Sequence, residues 1–286
     1  MKFINDKEIA ILLGVYNGEK FLPEQLNSLI NQTNQNWTLY IRDDGSNDNT
    51  RNIINEYCAR FSNFVYVKDD LGNLKSGRNF LQLLDVVESK YYMFCDHDDV
   101  WLPNKIEVTF QHMKQIEINY PNKPIMVHTD KIIVDENLKV KAESHWKSIN
   151  LNPEQLLTYE FLGVCPCVGG ATMMFNRAVK DLTFPIPSVP ILHDYWISLQ
   201  TVKYGIVSTL HIPTISYRQH GSNVFGVTIR TDEKYSLKSK IANLNEVVRM
   251  NLKQAKLLKA IGWGSLSKYL FYKFIVLLKL RSGKSN

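Results

Sequence analysis

An apolar run of strand length, Tyr91-Tyr92-Met93-Phe94-Cys95, ends in three carboxylates within four residues, Asp96, Asp98 and Asp99. A strand buried on both faces of an open α/β sheet reads as such a continuous apolar run. Ligands of these sheets collect just beyond the carboxyl ends of the strands. Three carboxylates so close repel one another and raise each other's pKa unless positive charge sits among them. A hard divalent cation, Mg²⁺ or Mn²⁺ rather than Zn²⁺, would relieve that repulsion. The bland alternative is a solvated acidic turn ahead of a helix opened by Pro103. The apolar strand in front argues against it, because a solvated turn does not require one.

The flanking chain repeats the same grammar. Ile9 to Val15 predicts a buried first strand, Tyr16-Asn17-Gly18 a turn, and Leu22, Leu26, Leu29 and Ile30 recur at helical spacing after Pro23. Trp37 to Ile41 predicts a second strand, closed by Arg42-Asp43-Asp44-Gly45-Ser46-Asn47-Asp48, with Asp48 placed to cap a helix through Ile53, Ile54 and Tyr57. Phe64 to Val67 predicts a third strand, and Phe80, Leu81, Leu84 and Val87 a helix leading back to the acidic strand. Strand and helix thus alternate through the first hundred residues, which specifies a parallel sheet with right-handed crossovers. The strand-end groups Tyr16, Asn17, Asp44 and Asp96 to Asp99 should then share one crevice, with Asp44 placed to bind a base or ribose. No G-x-G-x-x-G follows the first strand and no G-x-x-x-x-G-K-[ST] occurs, which disfavours a dinucleotide redox enzyme and a P-loop NTPase.

Beyond Tyr120-Pro121 the alternation changes. Ile125 to His128 and Lys131 to Val134 read as two short strands, Glu143 to Pro153 as a loop, and Gly169-Gly170 leads a strand through Asn176. His193-Asp194-Tyr195-Trp196 opens a helix that Gly205 ends; Asp194 in its first turn favours the helix dipole, and Trp196 is expected to give it an apolar wall. A strand at Thr214 to Ser216 precedes Tyr217-Arg218-Gln219-His220-Gly221-Ser222-Asn223, which could bring Arg218 and His220 to the same crevice.

The overall charge of +6 is unevenly placed. From Lys234 to Asn286 twelve Lys and Arg stand against one acid, Glu246, which leaves residues 1–233 at −5. The basic excess belongs to a tail whose apolar residues, Leu257 to Leu280, form an interrupted stripe shorter than the roughly 20 residues of a membrane span. It is read either as a helix packed on the body or as one lying on an anionic membrane surface. The polar Met1 to Glu8 carries no signal-peptide pattern, and four cysteines without metal spacing fit a reducing compartment, so a cytoplasmic location is expected.

Taken in order, Val15-Tyr16-Asn17-Gly18, Arg42 to Asp48, Asp96-His97-Asp98-Asp99-Val100-Trp101, Gly169-Gly170, His193 to Trp196 and Arg218 to Gly221 resemble a bacterial family-2 glycosyltransferase of GT-A fold, in the rhamnosyltransferase-like branch that builds polysaccharides. The resemblance spans roughly residues 8 to 228. It implies an α/β GT-A domain over 1–230, with a nucleotide-binding half to about 120 and an acceptor half beyond, followed by a helical extension over 231–286. It implies an inverting, Mn²⁺- or Mg²⁺-dependent enzyme, with dTDP-rhamnose or a UDP-hexose as donor and a glycan, typically lipid-linked, as acceptor. On matching positions, Tyr16, Asn17, Asp44, Asp96 and Arg218 would bind the donor, Asp98 and His220 the metal, and Asp194 would be the base. Gly169, Gly170 and Trp196 would lie on the acceptor side, with Asp99 and His193 in support. Two departures are visible: the branch commonly has Gln at His97, which could add a metal or phosphate contact here, and Trp at Tyr195. No nucleic-acid partner is expected.

Two rival functions are open. A nucleotidyltransferase making a nucleotide-sugar should carry a Gly-rich, Arg-containing loop after the first strand, and Gly14 to Gly18 is not one. A non-catalytic carbohydrate-binding protein of the same fold should have lost Asp98 or Asp194, and both are present.

Overall fold

The computed structural model describes residues 2–221 and 237–282. Ser222, Asn223 and the domain boundary expected at residue 230 lie outside them. The first half runs β1 (Phe3–Ile4), β2 (Ile9–Val15), α1 (Leu22–Ile30), β3 (Trp37–Asp43), α2 (Thr50–Arg60), β4 (Phe64–Tyr66), α3 (Ser76–Val86), β5 (Val87–Glu88), β6 (Tyr91–Asp96), β7 (Val100–Trp101) and α4 (Lys105–Asn119). The second continues through β8 (Ile125–Asp135), β9 (Val140–Ala142), α5 (His145–Ser148), α6 (Tyr159–Val164), β10 (Met173–Asn176), α7 (Arg177–Thr183), α8 (His193–Tyr204) and β11 (Ile206–Gln219). Two helices, α9 (Leu237–Ala260) and α10 (Leu266–Ser282), close the described chain.

One mixed sheet carries the architecture, in the order β4-β3-β2-β6-β10-β8-β11-β7, with β9 beside β8. The four strands β4, β3, β2 and β6 are parallel, as the alternation predicts. Side chains alternate across a strand, so β2 divides its apolar residues between both layers. Ala10 and Leu12 join one core with α3, α8 and the C-terminal helices, while Ile9, Ile11 and Leu13 join the other with α1, α2 and α4. The GT-A reading holds: this is a mixed α/β fold with helices at its C-terminal end.

Several local expectations change. The two short strands expected around Thr129-Asp130 are one strand, β8, because β11 pairs with it from Ile125 to Asp135. The strand expected at Thr214 begins at Ile206, and register shifts around Pro213 absorb the residue that cannot donate to the ladder. The loop at Glu143 to Pro153 contains α5, capped by the Ser144 hydroxyl accepting from Lys147 N. Asn49, not Asp48, is the boundary residue of α2; Asp48 accepts instead from the backbone of Glu19 and Thr50, which ties the turn after β2 to the start of that helix.

The tail packs on the body. The Trp263 indole donates to Tyr159 O at 2.9 Å, and Tyr269 OH lies 2.6 Å from Asn251 Oδ1, joining α10 to α9. Gly163 lies beneath the Trp263 ring: a Cβ there would stand 2.3 Å from Trp263 Nε1. Gly163→Ala is therefore expected to lower stability by about 1–3 kcal/mol, the usual cost of overpacking. Gly169→Ala, whose Cβ would meet only Thr172 Oγ1 at 3.8 Å, is expected to melt like the parent. Equal melting temperatures for all three proteins would contradict the packing.

Candidate active site

β6 delivers Asp96 to the sheet edge beside Gly14 of β2, and the chain turns there through His97 and Asp98. β7 follows at once and pairs with β11, Val100 opposite Ser216, which draws the end of β11 over the acids. His220 Nε2 then lies 2.9 Å from Asp98 Oδ2, with its ring against Phe21. The two expected metal ligands, 122 residues apart in sequence, thus meet. Asp99 is buried; its Oδ1 accepts from Arg218 N at 3.0 Å, and its Oδ2 has no hydrogen-bond partner among the described residues. Burial, then the neighbouring Asp98 and Asp194 charges, push the Asp96 carboxyl up to about 7; burial and the same cluster hold Asp99 well above the carboxylate range. Burial is the larger cause, and the mutual repulsion read from the sequence adds to it.

Among the described residues no group of three or more His, Cys, Asp and Glu side chains is arranged to hold a metal. The Asp98–His220 pair supplies two ligands, one hard carboxylate and one imidazole. A divalent ion completed by phosphate oxygens and water fits that set, since Mg²⁺ in particular keeps much of its shell outside the protein.

Asp194 faces the acids from α8. Its Oδ2 accepts from Gly170 N at 3.1 Å and its Oδ1 from Tyr195 N at 2.7 Å, so two backbone N–H groups fix the carboxylate. Gly170 permits the approach, because a Cβ there would stand 2.7 Å from His193 Nε2. The His193 ring stacks on Phe80 at 4.3 Å and meets the edge of Phe94; burial lowers its pKa, opposed by Asp194. Gly169-Gly170, His193 and Asp194 therefore form one unit. Trp196 does not belong to it. Two positions along a helix lie about 200° round the axis, and its indole donates to Thr183 O at 2.8 Å in the packed layer. The expected apolar wall for Asp194 is not built by that residue.

On the nucleotide side, Tyr16 is half exposed, and Asn17 takes a positive φ of 49°. The Asn17 side-chain oxygen Oδ1 accepts from Asn47 N, and the Asn17 backbone N–H donates to Ser46 Oγ, so it also ties two loops together. Asp44 is buried; it accepts from Leu74 N at 2.7 Å, Lys75 N at 2.9 Å and Arg42 Nη1 at 2.7 Å. His97 packs against Gly18, where a Cβ would stand 2.8 Å from its Cδ2. The Arg218 guanidinium is buried behind the acids: Nε donates to Asp98 O at 2.8 Å, Nη1 to Glu136 O and Nη2 to Glu24, over the Phe21 ring. Those partners fasten β11 to the acidic turn, a framework role that the expected diphosphate contact did not include.

Three cations were given no role of their own in the sequence. Arg42 forks onto both oxygens of Asp69 at 2.8 Å while holding Asp44 and Asn79. Lys105 donates to Thr214 Oγ1 over the Trp101 ring, with burial pulling its pKa down to about 7. Lys131 lies 3.8 Å from the centre of the Tyr217 ring; burial lowers its pKa, opposed by Asp99, Asp96, Asp194 and Asp130. A charged residue inside an apolar strand was the available signal for Lys131. It was read as a strand end.

Residues 10–183 match the family model for glycosyl transferase family 2. The chain belongs to glycosyl transferase family 2. It is 26% identical over 241 residues to the dTDP-rhamnosyl transferase RfbG of Shigella flexneri, covering 78% of this chain and 76% of that one. It is 25% identical over 228 residues to WfgD of Escherichia coli, a UDP-Glc:alpha-D-GlcNAc-diphosphoundecaprenol beta-1,3-glucosyltransferase, covering 77% and 81%. Among solved structures, the Staphylococcus aureus TarS 1-349 complex with UDP-GlcNAc is similar, with a TM-score of 0.54 and 16% identity over 91% of this chain and 74% of that one. The Pyrobaculum calidifontis mannosyltransferase PcManGT, with GDP-Man and Mn²⁺, gives 0.53 and 12% over 72% and 55%. The chain spans 60% of another crystal structure of TarS 1-349. At these identities the structures speak for the fold. This chain is thus a family-2 glycosyltransferase, as the six motifs in order led us to expect.

Proposed function

We propose that this glycosyltransferase is an inverting, divalent-metal-dependent enzyme working at the cytoplasmic face of a bacterial membrane. It would move a sugar from dTDP-rhamnose or a UDP-hexose to a hydroxyl of a lipid-linked glycan. The observation that carries the reading is the pairing of Asp98 with His220 opposite an Asp194 held by Gly170 and Tyr195. The rhamnosyl and glucosyl transferases among the relatives support the two donor classes.

Asp194, held by two N–H groups, would take the proton of the acceptor hydroxyl as its oxygen bonds to the anomeric carbon. The bond to the diphosphate breaks in the same displacement, which inverts that carbon. A carboxylate is a weak base for an alcohol, so proton transfer comes late and the transition state carries oxocarbenium character. Asp98 and His220 would hold the Mg²⁺ or Mn²⁺ ion, whose chemistry is to neutralise charge growing on the diphosphate. Asp96 would contact the donor's ribose or sugar, and Arg218 would keep the turn carrying Asp98 in place.

The test is a panel of nucleotide-sugars with and without Mn²⁺, read by melting temperature and by released product. A ligand at one hundred times its Kd stabilises by about 2.7 kcal/mol, so the true donor with metal should raise the melting point by roughly 5–10 °C. Free nucleoside diphosphate on adding acceptor is the expected product. Pyrophosphate would mark a nucleotidyltransferase instead, and stabilisation by glycan alone without turnover would mark a binding protein.

A further inference from the structure

The two C-terminal helices have two unlike faces. Tyr269 and Val276 of α10 point inward and are buried, with Trp263 just before the helix. The opposite arc carries Leu266, Leu270, Phe271, Phe274, Leu277 and Leu278, all at least 44% exposed, with Phe271 at 60% and Phe274 at 61%. Packing on the body therefore accounts for one side of the helix and leaves a continuous apolar row on the other. A solvated helix would place polar groups there.

Charge indicates what meets that row. Residues 247–286 contain nine Lys and Arg and no Asp or Glu. Lys268, Lys273 and Lys279 lean on the body, towards Glu160, Val164 O and Gln155 O. Lys253, Lys256 and Lys259 of α9 remain exposed. A second copy of the chain would bring the same positive excess against it. An anionic lipid surface offers both complements, headgroup charge for the lysines and an interface for the aromatic and leucine side chains. No described helix is long and apolar enough to cross a membrane. We infer that the outer face of α9 and α10 docks the enzyme flat on an anionic lipid surface, with the row from Leu266 to Leu278 at headgroup depth.

This inference does not depend on the donor or on turnover, since vesicle binding is read without either. The full chain should co-sediment with vesicles containing phosphatidylglycerol at low salt, and much less with pure phosphatidylcholine. Phe271→Ser combined with Phe274→Ser should weaken that binding at least tenfold. Lys253→Gln, Lys256→Gln and Lys259→Gln together should weaken it by more than tenfold at low salt, about fivefold per charge at most, and flatten the salt dependence. Both variants should keep the parent's melting temperature. Failure of the parent to bind anionic vesicles, or binding that ignores both sets of substitutions, overturns the inference. So does a dimer in sedimentation velocity that the Phe substitutions undo without any vesicle binding.

Discussion

Asp98→Asn is expected to abolish sugar transfer and to remove the Mn²⁺-dependent part of donor binding, while the melting temperature of the ligand-free protein stays close to the parent's. Asp98 Oδ2 is the oxygen that meets His220, and a neutral amide is a poor ligand for a hard dication. The backbone carbonyl of residue 98, which accepts from Arg218 Nε, survives the substitution, so the turn should keep its shape. Donor affinity measured by calorimetry with and without Mn²⁺ decides the matter. Retained turnover with an unchanged metal response would remove Asp98 from the site.

Asp194→Asn is expected to lower turnover by roughly 10²–10⁴, the usual worth of acid–base assistance, with donor affinity nearly unchanged. The structure adds a geometric reason. Both oxygens of Asp194 accept from backbone N–H groups, and an amide can satisfy only one of them, because its NH₂ would face the other donor. Some loss of stability is therefore expected alongside the loss of rate. Separate measurement of donor Kd and single-turnover rate distinguishes the roles. A collapse of donor affinity would make Asp194 a binding group and place the base elsewhere.

How far the chain could be read in advance follows from which forces are local. The four parallel strands and their helices come from patterns within three to fifteen residues, and each appears close to where it was expected. Strand β8 was split because Thr129-Asp130-Lys131 looks like a break; it is polar because it runs past the site, where a core pattern lapses. Strand β11 was shortened because His211 and Pro213 interrupt it, and only pairing with β8 reveals that the ladder slips around them. At the site, Asp98, His220, Gly170 and Asp194 could be named individually. Arg218 could be named too, but not its burial, since its partner Glu24 lies 194 residues away. Trp196 was misjudged by a rule of neighbourhood that a helix does not obey. For the tail, one stripe of apolar residues could not say that it serves two faces at once.

If Asp44 receives the donor's base, as the resemblance implies, the loop over it changes how donor recognition must be counted. Leu74 and Lys75 present two backbone N–H groups to this carboxylate, while Arg42 pins the same loop through Asp69 and Gly72. A pyrimidine base offers its imide N–H as the natural donor to an acid. A base that reached Asp44 would then meet a carboxylate already accepting from an imitation of itself, and its affinity would be set against bonds the protein already makes. Selectivity at that position then follows from how readily residues 69–75 give way as much as from the edge of the base.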